Sequence, residues 1–298
     1  MKLVFTENVH ALKLPPSHRF PIAKYECIHR ALAEDHADLM MLGAPATWQD
    51  VAAVHDASYV EAVRNAMLSE VAVKRLGFPW SDSLVTRAQR SVGGTLAALE
   101  WAVSHGAAGH IAGGTHHAFR DRGEGFCVFN DIGVAIAIAR RDHGLARAAV
   151  VDLDVHQGNG TAAMFSGDPD VFTLSLHGAR NYPFHKETSS RDVALPDRCD
   201  DATYLRALAP ALEEVAGFRP DVVFYQAGVD TLAGDRLGRM ALTLDGLAER
   251  DAMVFALARQ LAVPLVVTLG GGYGRDLDRT IAAHVQVYRG LVATSRRR

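Results

Sequence analysis

Residues 150–160 read VVDLDVHQGNG, an apolar run that ends in two acids, a histidine and an asparagine between glycines. Such a run predicts a parallel strand buried on both faces, where charged groups need partners. Because side chains alternate along a strand, we expect Asp152, Asp154 and His156 to point to one side. A divalent cation would bind these carboxylates and this imidazole, which are otherwise costly to bury. We therefore predict a metal site at this strand end, in preference to acids that only cap the next helix.

Strand-like and helix-like segments alternate along the rest of the chain. Short apolar runs predict strands at 2–5, 109–112, 171–176, 222–226 and 264–269. Periodic apolar residues predict helices at 17–34, 51–67, 84–103, 130–141, 201–215, 244–261 and 277–291. This alternation, uninterrupted by a repeat or a linker from residue 108 onward, predicts one α/β domain spanning residues 1–298. We expect a single-domain, open, mainly parallel sheet with helices on both faces.

Polar residues follow the ends of the predicted strands. They are His116 and His117, the group at 152–156, Ser175 to His177, Asp230, and Tyr273 after three glycines. Ligands of open parallel sheets bind beyond the carboxyl ends of the strands, so we expect these groups to share one rim. Asp230 would complete, with Asp154 and His156, the three-ligand set of a catalytic metal site.

The glycine-rich turn at 270–274 is expected to place Tyr273 over this site. Glycine allows a sharp turn, and the tyrosine hydroxyl would then donate a hydrogen bond to a bound substrate. The turn lacks the lysine of a phosphate-binding loop, so it does not predict a nucleotide site. A lone buried tyrosine is usually a core residue, but the histidines and acids expected beside this one favour a catalytic role.

The composition is that of a globular protein with a large core. The chain has 298 residues, of which 49% are hydrophobic, and 34 acidic residues balance 31 basic ones. This near-neutral charge does not favour direct nucleic-acid binding, and no apolar run is long enough to span a membrane. Cys27, Cys127 and Cys199 form no close pair, which fits a reducing compartment. Because the first residues do not resemble a signal peptide, we expect a cytoplasmic protein.

Five motifs, in order along the chain, resemble the zinc-dependent histone deacetylase family, which has the arginase–deacetylase fold. They are GGTHHA at 113–118, GFCVFND at 125–131, DLDVHQGNG at 152–160, QAGVD at 226–230 with Gly234-Asp235, and GGGY at 270–273. The chain is most similar to the class IV branch, on residues 152–160, residues 234–238 and the three-glycine turn. Class I members have an aspartate where this chain has Asn159, which leaves the choice of general base between His116 and His117 open.

The resemblance implies a role for each of these residues. One zinc ion per chain would be held by Asp154, His156 and Asp230, and Tyr273 would donate to the oxyanion. His116 would be oriented by Asp152, and His117 would be oriented by Asn159. A structural potassium ion would be bound by Asp152, Asp154, His156, Ser175 and Leu176. The substrate would contact Gly125, Phe126, Tyr182 and Leu237.

The function implied by the resemblance is an amidohydrolase that removes acetyl or longer acyl groups from the lysine side chains of a protein. The class IV likeness implies a preference for long acyl groups, and acetylpolyamines or other small acyl-amines are the alternative substrates. A two-metal ureohydrolase of the same fold would need more acids than Asp152, Asp154 and Asp230. A non-catalytic acyl-amine binding module would not need Tyr273. Iron or cobalt could replace zinc in this ligand set, and the oligomeric state is left open.

Overall fold

Eight parallel strands form one sheet at the centre of the protein. The computed structural model describes residues 1–7, 12–15 and 18–295, and the strands and helices lie within those ranges. The strands are β1 (Lys2–Phe5), β2 (Met40–Leu42), β3 (Ala107–His110), β4 (Ala148–Asp152), β5 (Val171–Gly178), β6 (Arg191–Leu195), β7 (Val222–Gln226) and β8 (Leu265–Thr268). Their order across the sheet is β2-β1-β3-β8-β7-β4-β5-β6, and every neighbouring pair is parallel. The predicted α/β fold with an open parallel sheet is confirmed.

Helices cover both faces of this sheet. Within the described ranges they are α1 (Lys24–His36), α2 (Trp48–Val51), α3 (Ala57–Arg64), α4 (Glu70–Leu76), α5 (Asp82–His105), α6 (Asp131–His143), α7 (Asn159–Met164), α8 (Asp201–Phe218), α9 (Leu244–Leu261) and α10 (Leu277–Ser295), with a short 3₁₀ helix at Ala37–Leu39. Helices α5 and α6 pack together in one layer, while α1, α10, α9 and α8 pack side by side in the other. No helix in the described ranges is both long and apolar enough to cross a membrane.

The central strands explain the apolar runs of the sequence. Every residue of β4, β7 and β8 is buried, as expected for parallel strands covered by helices on both faces. At the carboxyl end of β4, Asp152 lies beside Ser175 of β5 and Gln226 of β7 in the strand register. The residues that follow these three strands therefore emerge at the same edge of the sheet.

Two glycines of α5 allow close packing against the neighbouring loop and against His110 of β3. A Cβ at Gly93 would lie 2.0 Å from the backbone oxygen of Ala44, and a Cβ at Gly94 would lie 2.2 Å from Nε2 of His110. Alanine fits neither place without moving the backbone of the neighbouring loop or a buried imidazole. The lower helix propensity of glycine is thus offset by contacts that only glycine permits.

Several element boundaries differ from those predicted. The helix expected from residue 17, which lies outside the described residues, begins at Lys24, because Pro21 and the residues around it form a turn in which the Lys24 amide donates to the Pro21 carbonyl. The helix expected at 51–67 is shorter and is represented by α3 alone, since α2 ends at Val51 and the chain turns before α3 begins. Strands β2 and β6 were not predicted. The first has three residues, and the second is an edge strand that begins with two charged residues and lacks an alternating apolar pattern.

Candidate active site

Three predicted metal ligands meet at the carboxyl edge of the sheet. Asp154, His156 and Asp230 are buried, and their ligand atoms all lie within 4.8 Å of one another. Nδ1 of His156 lies 3.0 Å from Oδ1 of Asp154 and 3.1 Å from Oδ2 of Asp230. Strand β4 ends at Asp152, so Asp154 and His156 converge from the following loop and not, as we expected, from alternate positions of a strand.

The backbone around this cluster holds the carboxylates in place. The amide of Gly271 donates to Oδ2 of Asp154 at 2.7 Å, and the amide of Val155 donates to Oδ1 of Asp230 at 2.9 Å. A Cβ at Gly271 would lie 2.0 Å from Oδ2 of Asp230, so only glycine lets the backbone approach this closely. The two carboxylates are therefore fixed by the fold before any ligand arrives.

The charge state of the cluster fits a divalent cation. Burial and the neighbouring Asp154 raise the pKa of Asp230 to about 7. Burial lowers the pKa of His156, but hydrogen bonds to Asp154 and Asp230 outweigh this and raise it to about 10. The residues by themselves thus retain protons that a cation would displace. One imidazole and two carboxylates in a buried place form a donor set that zinc accepts.

Two adjacent histidines lie beside the cluster and differ in their partners. Nδ1 of His116 lies 2.7 Å from Oδ2 of Asp152, and Nδ1 of His117 lies 2.6 Å from Oδ1 of Asn159, as the sequence predicted for both pairs. Their ring centroids are 4.1 Å apart. The two imidazoles are close enough to act on the same substrate, but only His116 has a carboxylate as its partner.

These partners shift the pKa values of the two histidines in opposite directions. Burial disfavours a charged imidazole at both positions, but the carboxylates of Asp152 and Asp154 outweigh it and raise the pKa of His116 to about 9. At His117, burial and the neighbouring imidazoles of His116 and His156 lower the pKa well below its usual value. The pair therefore combines one protonated and one neutral imidazole near neutral pH.

The glycine turn carries Tyr273 toward the same place. The backbone amide of Tyr273 donates to Oδ2 of Asp235 at 2.6 Å. Below the turn, the buried Lys24 donates from Nζ to the carbonyls of Gly270 at 3.2 Å and Gly272 at 3.4 Å. The ring of Tyr273 lies 6.4 Å from that of His156, centroid to centroid, and burial raises the pKa of its hydroxyl well above 10. The hydroxyl thus keeps its proton and remains a hydrogen-bond donor.

An open groove of about 530 Å³ leads from the surface to His156 and His117. The four predicted substrate-binding residues, Gly125, Phe126, Tyr182 and Leu237, all line it. Phe126 has φ +68° after Gly125 at φ +57°, so a tight turn aims its ring into the groove. A Cβ at Gly125 would lie 2.6 Å from the ring of His117, which explains the glycine there.

The predicted potassium ligands are partly gathered. Asp152 pairs with Ser175 across β4 and β5, and Leu176 follows in the same strand. The hydroxyl of Ser175 lies 3.0 Å from Nδ1 of His177. Potassium binding by these residues, together with Asp154 and His156, stays a prediction.

Three polar residues at the site were missed in the sequence. Glu124 accepts a hydrogen bond from Asn159, Lys24 supports the glycine turn, and Asp235 accepts from the amide of Tyr273. Glu124 and Asp235 stand within or next to motifs that the sequence marked, so their position was a usable signal. Lys24 lies on an ordinary amphipathic helix, and nothing in that pattern distinguishes it from a surface lysine.

Comparisons with known proteins add an independent line of evidence. A model of the histone deacetylase domain matches residues 18–288. An uncharacterized protein of Picosynechococcus sp. is 41% identical over 283 residues, which are 93% of this chain and 93% of that protein. Histone deacetylase 2 of Arabidopsis thaliana is 34% identical over 80% of this chain and 64% of its own length. The histone deacetylase-like amidohydrolase of Pseudomonas aeruginosa is 36% identical, over 77% of this chain and 64% of that protein.

A solved structure agrees with these sequence matches. The crystal structure of a histone deacetylase homologue complexed with SAHA superimposes with a TM-score of 0.85 at 25% identity, over 98% of this chain and 84% of that one. The arginase–deacetylase type of the fold is thereby confirmed. Because the chain spans 64% of the two named relatives' lengths, similarity covers their shared domain and not the remainder of those proteins.

Proposed function

This chain belongs to the histone deacetylase family of hydrolases, and from that premise we propose that it is a zinc-dependent amidohydrolase that removes acyl groups from lysine side chains. The observation that carries the proposal is the buried set of Asp154, His156 and Asp230 at the inner end of a surface groove. Two histidines with different partners and a tyrosine hydroxyl adjoin that set, which is what hydrolysis of an amide requires.

Asp154, His156 and Asp230 would hold the zinc ion. When bound, zinc supplies a Lewis acid that polarises the acyl carbonyl and acidifies water. The amide groups of Gly271 and Val155 keep the two carboxylates aimed at one point, so little reorganisation is needed on binding. Asp152 stays outside this set because it is hydrogen-bonded to His116.

His117 acts as the general base in this proposal. The carbonyl oxygen of Asn159 accepts from Nδ1 of His117, so the proton sits on Nδ1 and the lone pair of Nε2 is free. His117 is neutral near pH 7 because burial lowers its pKa, and Nε2 can take a proton from the attacking water. The same nitrogen then returns the proton to the leaving lysine amine.

His116 and Tyr273 stabilise the negative charge that develops on the acyl oxygen. Asp152 fixes the ring of His116 through its hydrogen bond to Nδ1 and favours the protonated imidazole. Tyr273 donates its hydroxyl proton in a hydrogen bond without losing it. Such donors, fixed before the reaction begins, account for a large part of the rate enhancement in amide hydrolysis.

The acyl group is proposed to be short. The pocket at the site itself has a volume of about 30 Å³, and polar or charged residues, among them Tyr25, Arg87 and Ser91, form part of its wall. This volume holds about two water molecules, so a long acyl chain would require the surrounding core to open. We therefore expect acetyl to be hydrolysed in preference to longer chains, contrary to the preference that the class IV likeness implies. Membership of class IV and the cytoplasmic location stay predictions.

Two alternative activities are disfavoured by particular features. The metal cluster within the described residues has three ligands, fewer than a two-metal ureohydrolase needs. A non-catalytic binding module would not need both histidines and Tyr273 in this arrangement. Acetylpolyamines remain the alternative amine substrates for the same chemistry.

A substrate panel combined with a metal measurement tests the proposal. Purified protein is expected to contain about one zinc ion per chain and to lose activity on chelation, with recovery on adding zinc. Acetyl-lysine peptides should be hydrolysed with a higher kcat/KM than matched peptides carrying longer acyl groups. Hydrolysis of acetylpolyamines alone would overturn the assignment to lysine side chains. Hydrolysis of none of these amides by zinc-loaded protein would overturn the function itself.

A further inference from the structure

Five arginines surround the mouth of the substrate groove. They are Arg19, Arg75, Arg180, Arg236 and Arg239, which we call the basic rim, and all five are exposed. Among the described residues that line the groove, none is an aspartate or a glutamate. The formal net charge of the whole chain is −3, so the basic rim is a local feature and not a consequence of a basic protein.

The charge of the basic rim is only partly neutralised. Asp197 lies 3.2 Å from Nη1 of Arg239 and 3.8 Å from Nη1 of Arg180, whose side chain is 77% exposed. One carboxylate thus serves two guanidinium groups. Within the part of the chain that the structure describes, no carboxylate forms an ion pair with Arg19, Arg75 or Arg236.

Arg236 is bound to neutral groups. Its Nε donates to the carbonyl of Tyr273 at 2.9 Å, and Nη2 donates to the carbonyl of Arg19 at 3.3 Å. These bonds fix the guanidinium at the groove without cancelling its charge. A positive potential at the mouth of the groove attracts negative groups and repels positive ones before contact is made.

We propose that the basic rim selects acyl-lysines that lie in acidic segments of a protein and rejects polycationic substrates. This inference rests on the proposed amide hydrolysis in the same groove. Phe184, 83% exposed at the mouth, offers an apolar surface to the peptide that flanks the modified lysine. Acetylpolyamines and lysine-rich peptides would bring further positive charges to the basic rim, and arginine pairs well with carboxylates instead.

Peptides with one acetyl-lysine and flanks of aspartate, glutamine or lysine test this selection. The zinc-loaded protein should show kcat/KM decreasing from aspartate to glutamine to lysine flanks, by on the order of tenfold between the extremes at low salt. The difference should shrink toward about 0.5 M NaCl because salt screens exposed charges. Equal kcat/KM values for all three flanks would overturn the inference.

Charge reversal locates the effect on the basic rim. The double variant Arg180→Glu with Arg239→Glu should weaken or invert the preference for acidic flanks. The matched control is Arg206→Glu, an exposed arginine of α8 that does not line the groove, and it should behave as wild type. A preference that survives the double reversal would contradict the assignment to these arginines.

Binding separates this inference from the proposed function. If the glutamine-flanked peptide is not hydrolysed, the proposed function is wrong, and fluorescence anisotropy of labelled peptides then decides on the basic rim alone. Tighter binding of the aspartate-flanked peptide would support selection by charge, and equal dissociation constants would overturn it.

Glu124 lies behind Asn159 and contacts its amide group. Glu124 accepts at Oε1 from Nδ2 of Asn159 at 2.7 Å and from the hydroxyl of Tyr182 at 2.9 Å. Its Oε2 lies 3.8 Å from Nε of Arg122, and the Glu124 side chain is 12% exposed. A carboxylate thus stands one hydrogen bond beyond the amide that His117 contacts.

An asparagine amide can face a histidine with either of its ends. If Asn159 were reversed, its NH₂ would donate to Nδ1 of His117 and move the imidazole proton to Nε2, where a base needs its lone pair. An ionised Glu124 accepts hydrogen bonds only, so it holds the NH₂ of Asn159 and leaves Oδ1 facing His117.

We infer that Glu124 is a positioning residue that sets the tautomer of His117 through Asn159. The kinetic consequence rests on the proposed function, whereas the tautomer does not. Class I members have an aspartate at the position of Asn159. In this chain the carboxylate is that of Glu124, one hydrogen bond further from the imidazole of His117.

Three variants test this role. Glu124→Ala should reduce kcat on the order of tenfold to hundredfold with zinc content unchanged, since part of the general-base contribution is lost. Glu124→Gln keeps an acceptor oxygen, so its kcat should lie between that of Glu124→Ala and that of wild type. The matched control, Asp121→Asn, removes the other carboxylate that contacts Arg122 and should leave kcat unchanged.

The tautomer itself is observed by ¹⁵N NMR of the zinc-loaded protein, with the His117 signals assigned by substitution. Wild type should carry the proton on Nδ1, and Glu124→Ala should show a mixture of tautomers. Tyr182→Phe removes only the other hydrogen bond to Glu124 and should leave the tautomer as in wild type. An unchanged Nδ1 tautomer in Glu124→Ala would overturn the inference, whether or not a substrate has been found.

Discussion

Tyr273 provides the most direct residue-scale test of the proposed chemistry. In the proposed mechanism its hydroxyl donates to the developing oxyanion, whereas its backbone is held independently by Asp235 through the amide of Tyr273. Tyr273→Phe should therefore keep zinc and KM but lower kcat by about two to three orders of magnitude, the usual effect of deleting one oxyanion donor. Steady-state kinetics with an acetyl-lysine peptide measures this, and an unchanged kcat would remove Tyr273 from the mechanism.

At this scale the sequence identified the residue types but not all of their partners. Asp154, His156 and Asp230 were predicted as ligands because acids and a histidine follow buried strands, and the structure gathers them. Glu124 was missed because its role depends on Asn159, which is 35 residues away. A side chain that acts through another one leaves no periodic pattern in the sequence.

Elements were predicted best where burial dictates their composition. Strand β7 and helix α9 have the predicted bounds, because the strand is a run of large apolar residues ending at Gln226 and the helix has a regular apolar face. Strand β6 was missed, since it lies at the sheet edge, where only Leu195 of its five residues is buried. The alternation inferred for Asp154 and His156 was wrong because β4 stops at Asp152, and a loop delivers both side chains.

The start of α6 depends on a buried histidine. The backbone amide of Asn130, the N-cap of α6, donates to Nε2 of His55 at 2.9 Å, and Nδ1 of His55 lies 3.3 Å from the carbonyl of Arg120. His55 must therefore be neutral, with its proton on Nδ1. Burial accordingly lowers the pKa of His55 to about 4.

This neutrality predicts a pH dependence of stability. The unfolded chain binds a proton at His55 near pH 6.5 and the folded chain only near pH 4, so the free energy of unfolding falls as pH drops through this window. The loss is at most about 1.4 kcal/mol per pH unit for this one group. The free energy of unfolding of His55→Gln, measured with urea at several pH values, should therefore change less between pH 6.5 and pH 4 than that of wild type. Parallel pH profiles of the two proteins would contradict the role of His55.

The whole molecule brings together residues whose order along the chain gave little indication of their order in space. Alternating strands and helices predicted a parallel sheet, but strand β8, near the end of the chain, lies between β3 and β7. That placement puts Tyr273, which follows β8, next to Asp230, which follows β7. The strand order follows from tertiary packing, which a pattern in one sequence does not specify, whereas the shared carboxyl edge follows from parallel pairing alone.

The central claim is that Asp154, His156 and Asp230 hold the metal ion on which amide hydrolysis depends. Zinc content per chain, measured after gel filtration together with acetyl-lysine hydrolysis, tests it in wild type, Asp230→Ala and the exposed control Asp278→Ala. We expect about one zinc ion per chain and hydrolysis of the peptide in wild type and in the control, and neither in Asp230→Ala. The circular dichroism spectrum of Asp230→Ala should remain that of the folded protein. An Asp230→Ala protein that retains stoichiometric zinc, or hydrolyses the peptide without it, would contradict the account.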